Sequence, residues 1–310
     1  MGQRRRVVID TDIAIGIPER DVDDGLAIVM ALNSPELGIC GITLCFGNDS
    51  LENVAQCMSE LATVAGLSKI EIASGARSAA DFGKRTEATF LLEDMAKGGN
   101  MTILCLGPMT NLATFVQANP ELVKQIDEVV IVAGRRPGQR FRTGNHSNSH
   151  PDLNFEKDSA AMEILLGSDL KLVFAPFEVS SKVWVTDRIL DLVERNGTRT
   201  AKYLAENCRP WLEFWKRNFS TKLLAIDGFN PFDCLAVAWL TDRNLLSFET
   251  VGMRIEEGGY DSADRAVQGK VGWKKYLHVD SCQRCTSKKR IYIHDVEREA
   301  FLERLIARLK

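Results

Sequence analysis

Two pairs of aspartates stand close together near the start of the chain. Asp10 and Asp12 close the run Val7-Val8-Ile9-Asp10-Thr11-Asp12, and ten residues later Asp23 and Asp24 open the run Asp23-Asp24-Gly25-Leu26-Ala27. The first run has the β-branched character of a buried strand and the second starts an apolar helical pattern, so four carboxylates meet where a strand hands over to a helix. Two carboxylates about 4 Å apart repel by ~4 kcal/mol at an effective dielectric of about 20, so an uncompensated cluster raises its own pKa values or distorts the fold. A bound cation removes that conflict. Oxygen-only ligands select Ca²⁺ or Mg²⁺ over zinc, and Asp side chains with a carbonyl suit the irregular coordination of Ca²⁺. One aspartate alone is an ordinary cap or turn residue. Capping does not account for the combined pattern of Asp-x-Asp, loop and Asp-Asp.

The elements that must position these groups follow an alternating rhythm. Short β-branched runs at Val7 to Thr11, Ile39 to Cys45, Ile70 to Ala73, Met101 to Leu106, Val129 to Ala133 and Leu170 to Ala175 are separated by helical patterns, among them Asp24 to Leu32, Leu51 to Ala65, Thr110 to Ala118 and Ser159 to Leu166. Such alternation predicts an α/β fold with an open, mostly parallel twisted sheet and helices on both faces. Functional groups in such a sheet collect beyond the carboxyl ends of its strands, where Asp10 and Asp12 lie. Thr186 to Phe219 reads as mostly helical, with Trp211, Phe214 and Trp215 at packing spacing or bordering a pocket. A small C-terminal hairpin, Thr250 to Glu257 with Arg290 to His294, precedes a closing helix from Val296 to Leu309. No repeat or linker divides the chain, so residues 1–310 are read as a single domain.

Charged residues make up 26% and the formal net charge is -3, a balance that does not suggest a nucleic-acid surface. No apolar run approaches the ~18 residues of a membrane span, and the basic start, Met1 to Arg6, lacks the apolar core of a signal peptide. The expectation is a cytoplasmic protein with no membrane partner. Cys40, Cys45, Cys57, Cys105, Cys208 and Cys234 sit in apolar patterns and read as core. Cys282 and Cys285 have the spacing of a zinc or redox pair, but no second pair follows and the surroundings are not thioredoxin-like.

At this point the sequence resembles a known family. Ile9-Asp10-Thr11-Asp12, Asp23-Asp24-Gly25-Leu26-Ala27, Gly47-Asn48, Gly107-Pro108-Met109-Thr110-Asn111-Leu112-Ala113, Asp152-Leu153-Asn154-Phe155 and Phe232-Asp233-Cys234-Leu235-Ala236-Val237-Ala238 are similar, in order, to the motifs of the inosine-uridine-preferring nucleoside hydrolases. The resemblance spans Val7 to the final helix. It implies hydrolysis of the N-glycosidic bond of ribonucleosides to free base and ribose, a role in purine or pyrimidine salvage, and assembly as a homodimer or homotetramer. It also implies Ca²⁺ bound by Asp12, Asp24 and Asp233 with the main-chain carbonyl of Leu106, and Asp10 as a supporting carboxylate. Asp12 would take the proton of a Ca²⁺-activated water aimed at the anomeric carbon. Asp23, Asn48 and Asn154 would grip the 2′- and 3′-hydroxyls, and Asp152 would face the 5′-hydroxyl. The transition state resembles an oxocarbenium ion, which surrounding negative charge stabilises.

The chain departs from the family pattern in three places. Ten residues, Ile13 to Val22, separate Asp12 from Asp23 where the common spacing is three, and Gly16 and Pro18 mark a turn-rich insertion that either narrows the pocket or covers it. Phe232 stands where many members carry a histidine that protonates the leaving base; Phe donates no proton, and its alternatives are stacking on the base or a place in the core. The segment after Ala73 lacks the family's His-Gly. His146 and His150 are candidate replacement acids, and His278 and His294 read as structural. Two other functions compete. One is a ribose- or nucleoside-binding protein that has lost leaving-group activation; the other treats Asp10-Thr11-Asp12 as the nucleophile motif of a haloacid-dehalogenase-type phosphatase.

Overall fold

The computed structural model describes residues 4–141, 150–220, 225–259, 274–280, 288 and 290–310. The strands are β1 (Arg5–Thr11), β2 (Leu37–Leu44), β3 (Glu71–Ser74), β4 (Met101–Cys105), β5 (Ile126–Ile131), β6 (Leu172–Phe174), β7 (Val185–Thr186), β8 (Gly228–Phe229), β9 (Leu246–Gly258), β10 (Lys274–Asp280) and β11 (Arg290–Val296). The helices are α1 (Asp23–Leu32), α2 (Leu51–Ala65), α3 (Glu87–Lys97), α4 (Thr110–Ala118), α5 (Leu153–Lys157), α6 (Ser159–Gly167), α7 (Phe177–Ser180), α8 (Asp187–Glu194), α9 (Arg199–Phe219), α10 (Phe232–Thr241) and α11 (Arg298–Arg308).

Among the described residues, nine strands form one sheet in the order β10-β9-β11-β6-β5-β4-β1-β2-β3, and β7 pairs with β8 in a separate ribbon. From β3 across to β11 every pairing is parallel, while β9 runs antiparallel to both β11 and β10. The chain first builds outward from β1 to β2 and β3, then returns to the other side of β1 with β4, β5 and β6. That reversal opens a crevice at the carboxyl ends of β1 and β4, the place where open α/β sheets bind ligands.

Side-chain alternation on each strand feeds two apolar layers. Val7 and Ile9 of β1 join Leu104 and Val130 on one face, with α1 and α10 packed over them. Val8 joins Ile103, Val129 and Phe115 on the other. Strands covered on both faces read as continuous apolar runs, which is why β1 and β4 were legible as buried strands. Helix α1 is buried along almost its whole length and packs on α10, so the two helices bring their first turns together.

Helix α3 and strand β10 are among the elements that the sequence reading did not assign. Helix α3 starts at a reciprocal capping box between Thr86 and Thr89 and covers Gly41 of β2 with Leu91. Strand β10 takes the sheet edge beside β9, so the expected C-terminal hairpin partner of β11 has neighbours on both sides. Cys282, Cys285 and His146 lie outside the described residues. No helix among the described residues is long and apolar enough to cross a membrane.

One buried charge cluster ties the sheet to α10. Glu128 of β5 pairs with Arg5 of β1, with Arg243 at 2.5 Å and with Lys171 at 3.2 Å, and it accepts a hydrogen bond from the Trp239 indole at 3.3 Å. Burial pushes the Glu128 carboxyl up, but Arg243, Lys171 and Arg5 outweigh it and hold it below its ordinary value. Because the folded value is depressed, the pairing stabilises above the unfolded pKa and is lost as pH falls through the folded one. Glu128→Gln is expected to cost about 2 kcal/mol by denaturant unfolding near neutral pH, less than a fully buried pair because its partners are partly exposed, and the difference from wild type should shrink on acidification.

Candidate active site

The site begins where β1 ends. Asp10 is fully buried and accepts hydrogen bonds from Thr43 Oγ1 at 2.6 Å and Asn111 Nδ2 at 2.8 Å, with Cys105 Sγ 3.8 Å away. Burial raises its pKa to about 6, against the pull of those three hydrogen bonds. Asn111 also donates to the Leu44 carbonyl at 3.1 Å and accepts from the Ala76 amide at 2.9 Å, so Asp10 braces β1 against β2 and α4. It does not line the cavity described below. A carboxylate shut away in this manner is no accessible nucleophile, which removes the physical basis of the phosphatase reading.

Asp12 is also fully buried, and its two oxygens differ. Oδ2 accepts from the Asn48 amide at 2.6 Å, whereas Oδ1 has no hydrogen-bond partner. Two glycines make this seat: a Cβ at Gly47 would fall 1.9 Å from Oδ2, and one at Gly107 would fall 2.9 Å from Oδ1. Any side chain at 47 would displace the carboxylate.

The first turns of α1 and α10 supply the remaining acids. Asp23, Asp24 and Asp233 each offer an oxygen within 4.8 Å of the others, and all three are buried. Asp23 accepts from the Asp233 amide at 3.1 Å and from the Asp24 amide at 3.1 Å. Asp24 accepts from Thr11 Oγ1 and, at 3.2 Å, from Asn48 Nδ2, so Asn48 straddles Asp12 and Asp24. No described lysine, arginine or histidine forms an ion pair with this group. Burial and then mutual repulsion raise all of these acids: Asp24 to about 7, with Asp12, Asp23 and Asp233 well above the carboxylate range.

These residues fit a hard divalent cation. The donors are all oxygens, three carboxylates converge without a countercharge, and a buried oxygen of Asp12 lacks a donor. Asp23, expected on the sugar, stands with Asp24 and Asp233, while Asp12 sits behind Gly47 and does not itself line the cavity. Leu106 does line it, and its carbonyl already accepts from Asn154 Nδ2, which also donates to the Val132 carbonyl at 3.1 Å. A carbonyl oxygen has a second lone pair for a cation.

The acids open onto a cavity of about 460 Å³. Its polar floor includes Asn48, Asp152 and Asn154 beside Asp23, Asp24 and Asp233. Asp152 is anchored by the Gly134 amide at 2.9 Å, and burial, offset first by Arg135, raises its carboxyl to about 6. Part of the lining is aromatic: Phe141 stacks on Phe177 at 4.6 Å, Phe177 on Phe232 at 5.9 Å, and Phe232 lies 6.3 Å from Trp215. Phe232 is therefore a wall of the cavity as well as a packing residue. Trp211 and His150 line the same space, and His150 meets Phe219 edge-on at 5.1 Å, whereas His278 and His294 do not reach it. Sequence reasoning missed Asp21, which lines the cavity with a pKa raised to about 6 mainly by burial, and the rings of Phe141, Phe177 and Phe219. Their signal was weak, because α7, α9 and the segment after β5 meet only in the folded chain.

The sequence profile of the inosine-uridine preferring nucleoside hydrolases matches residues 7–303, and the chain belongs to that family. It is a nucleoside hydrolase. A pyrimidine-specific ribonucleoside hydrolase RihA of Shigella boydii is 27% identical over 93% of this chain and 95% of its own length. A probable uridine nucleosidase 2 of Arabidopsis thaliana is 28% identical over 66% and 69%, respectively. Among solved structures, a plant nucleoside hydrolase aligns with a TM-score of 0.79 and 22% identity over 99% of both chains. A purine-preferring ribonucleoside hydrolase from Gardnerella vaginalis aligns with a TM-score of 0.77 and 20% identity over 98% of both, so the two share the fold.

Stripping the cation should expose the repulsion. Folded carboxyl pKa values above the unfolded ones mean that the metal-free folded state holds more protons, so its stability falls as pH rises from about 4 to 7. Thermal unfolding of chelator-treated protein is expected to show this decline. Added divalent cation should restore stability more strongly near pH 7.5 than near pH 5, where protons compete for the same oxygens.

Proposed function

We propose that this nucleoside hydrolase cleaves the N-glycosidic bond of ribonucleosides with a Ca²⁺-dependent water, with Asp12 as the general base. The observation that carries the reading is the set of uncompensated buried carboxylates opening onto a cavity with an aromatic wall. Asp24, Asp233 and the Leu106 carbonyl, with Asp12, are the residues that would hold the ion, and the nearness of Asp23 adds a further oxygen. When bound, Ca²⁺ supplies the positive charge that acidifies a water and relieves the repulsion among the acids.

The protein's own groups then carry the reaction. Asp12 Oδ1, buried and without a donor, takes the proton of the water as its oxygen attacks the anomeric carbon. The C–N bond breaks, and the departing base takes up a proton. Asn48 supports the sugar subsite from its bridge across Asp12 and Asp24, with Asp23 and Asn154 toward the 2′- and 3′-hydroxyls and Asp152 toward the 5′-hydroxyl. The buried negative charge stabilises the oxocarbenium-like transition state beyond the ground state. Phe232, stacked on Phe177, offers a face to the base, and His150 stands in the same cavity as the candidate acid, with His146 its sequence alternative. The same reading places the protein in purine or pyrimidine salvage in the cytoplasm, as one domain per chain in a homodimer or homotetramer.

A panel of purine and pyrimidine ribonucleosides assayed for free ribose tests this directly. Wild type is expected to turn over at least one of them, and Asp12→Asn to lower kcat about 10²–10⁴-fold with the cation still bound. Ribose binding without turnover by wild type would favour the binding-protein alternative, whose motivation is the absence of an ionisable group on Phe232.

A further inference from the structure

The insertion between Asp12 and Asp23 is part core and part cavity rim. Ile13, Ala14, Ile15 and Val22 are buried, and Ile15 fills the space above Gly25, where a Cβ would lie 2.9 Å from its Cδ1. The chain between them turns outward through Ile17 N to the Ala14 carbonyl at 3.0 Å and Arg20 N to the Ile17 carbonyl at 3.2 Å, with left-handed φ values of 90° at Gly16 and 60° at Glu19. This tip delivers Glu19, Arg20 and Asp21 to the cavity.

Two ion pairs hold the tip, and they are unequal. Arg217 meets Glu19 at 3.4 Å with both side chains more than 60% exposed, a contact of little worth in water. Arg20 Nε donates to Asp49 Oδ2 at 2.8 Å, and the Asp49 side chain is only 15% exposed. The Arg20 hydrogen bond, then the Ser50 amide, hold the Asp49 carboxyl down at about 2. Asp49 also accepts from Asn53 Nδ2 at 2.7 Å, and its carbonyl takes the Gly47 amide at 3.2 Å. Gly47 and Asn48 form the loop that meets Asp12 and Asp24. Arg20 is thus fastened to the base of that loop through one nitrogen, and its two Nη groups make no hydrogen bond to a described residue.

We propose that Arg20 is a sugar-binding residue of this enzyme, held across the cavity mouth by Asp49 as its positioning partner. The guanidinium spends Nε on Asp49 and offers its Nη donors to a ribose hydroxyl in the cavity that Asn48 also lines. A planar, always-charged fork makes the two contacts from separate nitrogens in fixed directions, a geometry that the single nitrogen of an ammonium does not reproduce. The insertion is then a working wall of the sugar subsite, with Asp49 acting through Arg20. This rests on the reading above that Asn48 faces the sugar.

Steady-state kinetics, ribose calorimetry and trypsin digestion test it together. Arg20→Ala should raise KM about tenfold with kcat changed less than about threefold, and should weaken ribose binding by a similar factor; Arg20→Lys should recover little of either. Asp49→Asn, which keeps the oxygen that orders Ser50 and Asn53, should raise KM about threefold in the wild-type background and leave it unchanged in the Arg20→Ala background. Trypsin cleavage after Arg20, mapped by mass, should quicken in Asp49→Asn and slow again with bound ribose. The proposal is overturned if Arg20→Ala leaves both KM and ribose affinity within about twofold of wild type, if the Asp49→Asn effect persists in full without Arg20, or if cleavage after Arg20 does not respond to Asp49→Asn. A wild-type enzyme that releases no ribose contradicts the proposed function instead, and calorimetry and digestion still decide this one.

Discussion

Repulsion among buried carboxylates is the constraint on which the structure depends. Asp12, Asp23, Asp24 and Asp233 are removed from water with no described cationic side chain to balance them, and their hydrogen bonds come from amides and from the Thr11 and Asn48 side chains. Neutral donors orient a carboxylate without cancelling its charge. The fold accepts this cost at one place, the reversal of strand order beside β1, where two helix N-termini add favourable dipoles and the sheet supplies rigid walls. A cation, and later a positively charged transition state, are the two species that such a site favours.

The surrounding structure reads as support for that concentration of charge. Asp10 locks the end of β1 through Thr43 and Asn111, the glycines at 47 and 107 let two loops close against Asp12, and α1 packs along α10 so that Asp23 receives the Asp233 amide. Each contact joins segments far apart in sequence. The aromatic wall is assembled in the same way, from the Phe141 loop, α7, α9 and α10.

Much of this was legible before folding, for physical reasons. Strands buried on both faces must be apolar throughout, so β1, β4 and β5 announced themselves, and α2 and α4 lie where their periodicity placed them. That Asp10, Asp12, Asp24 and Asp233 gather was legible because each sits beside a strand end or helix start. The division of labour among them was not. Spacing along a chain does not say which oxygens converge, so the closeness of Asp23 to Asp24 and Asp233, and the bond from Asn154 to the Leu106 carbonyl, came only with the fold. Asp21 and the rings of Phe141, Phe177 and Phe219 carried no local signature, because their function comes only from the cavity they share.

Diffraction from crystals grown with calcium and a ribose analogue tests the central claim most directly. The account predicts a single ion in contact with Asp12, Asp24, Asp233 and the Leu106 carbonyl, with the sugar bound between it and the aromatic wall. Density showing no ion there, and carboxyl groups of Asp23, Asp24 and Asp233 hydrogen-bonded to one another as shared-proton pairs, would contradict it.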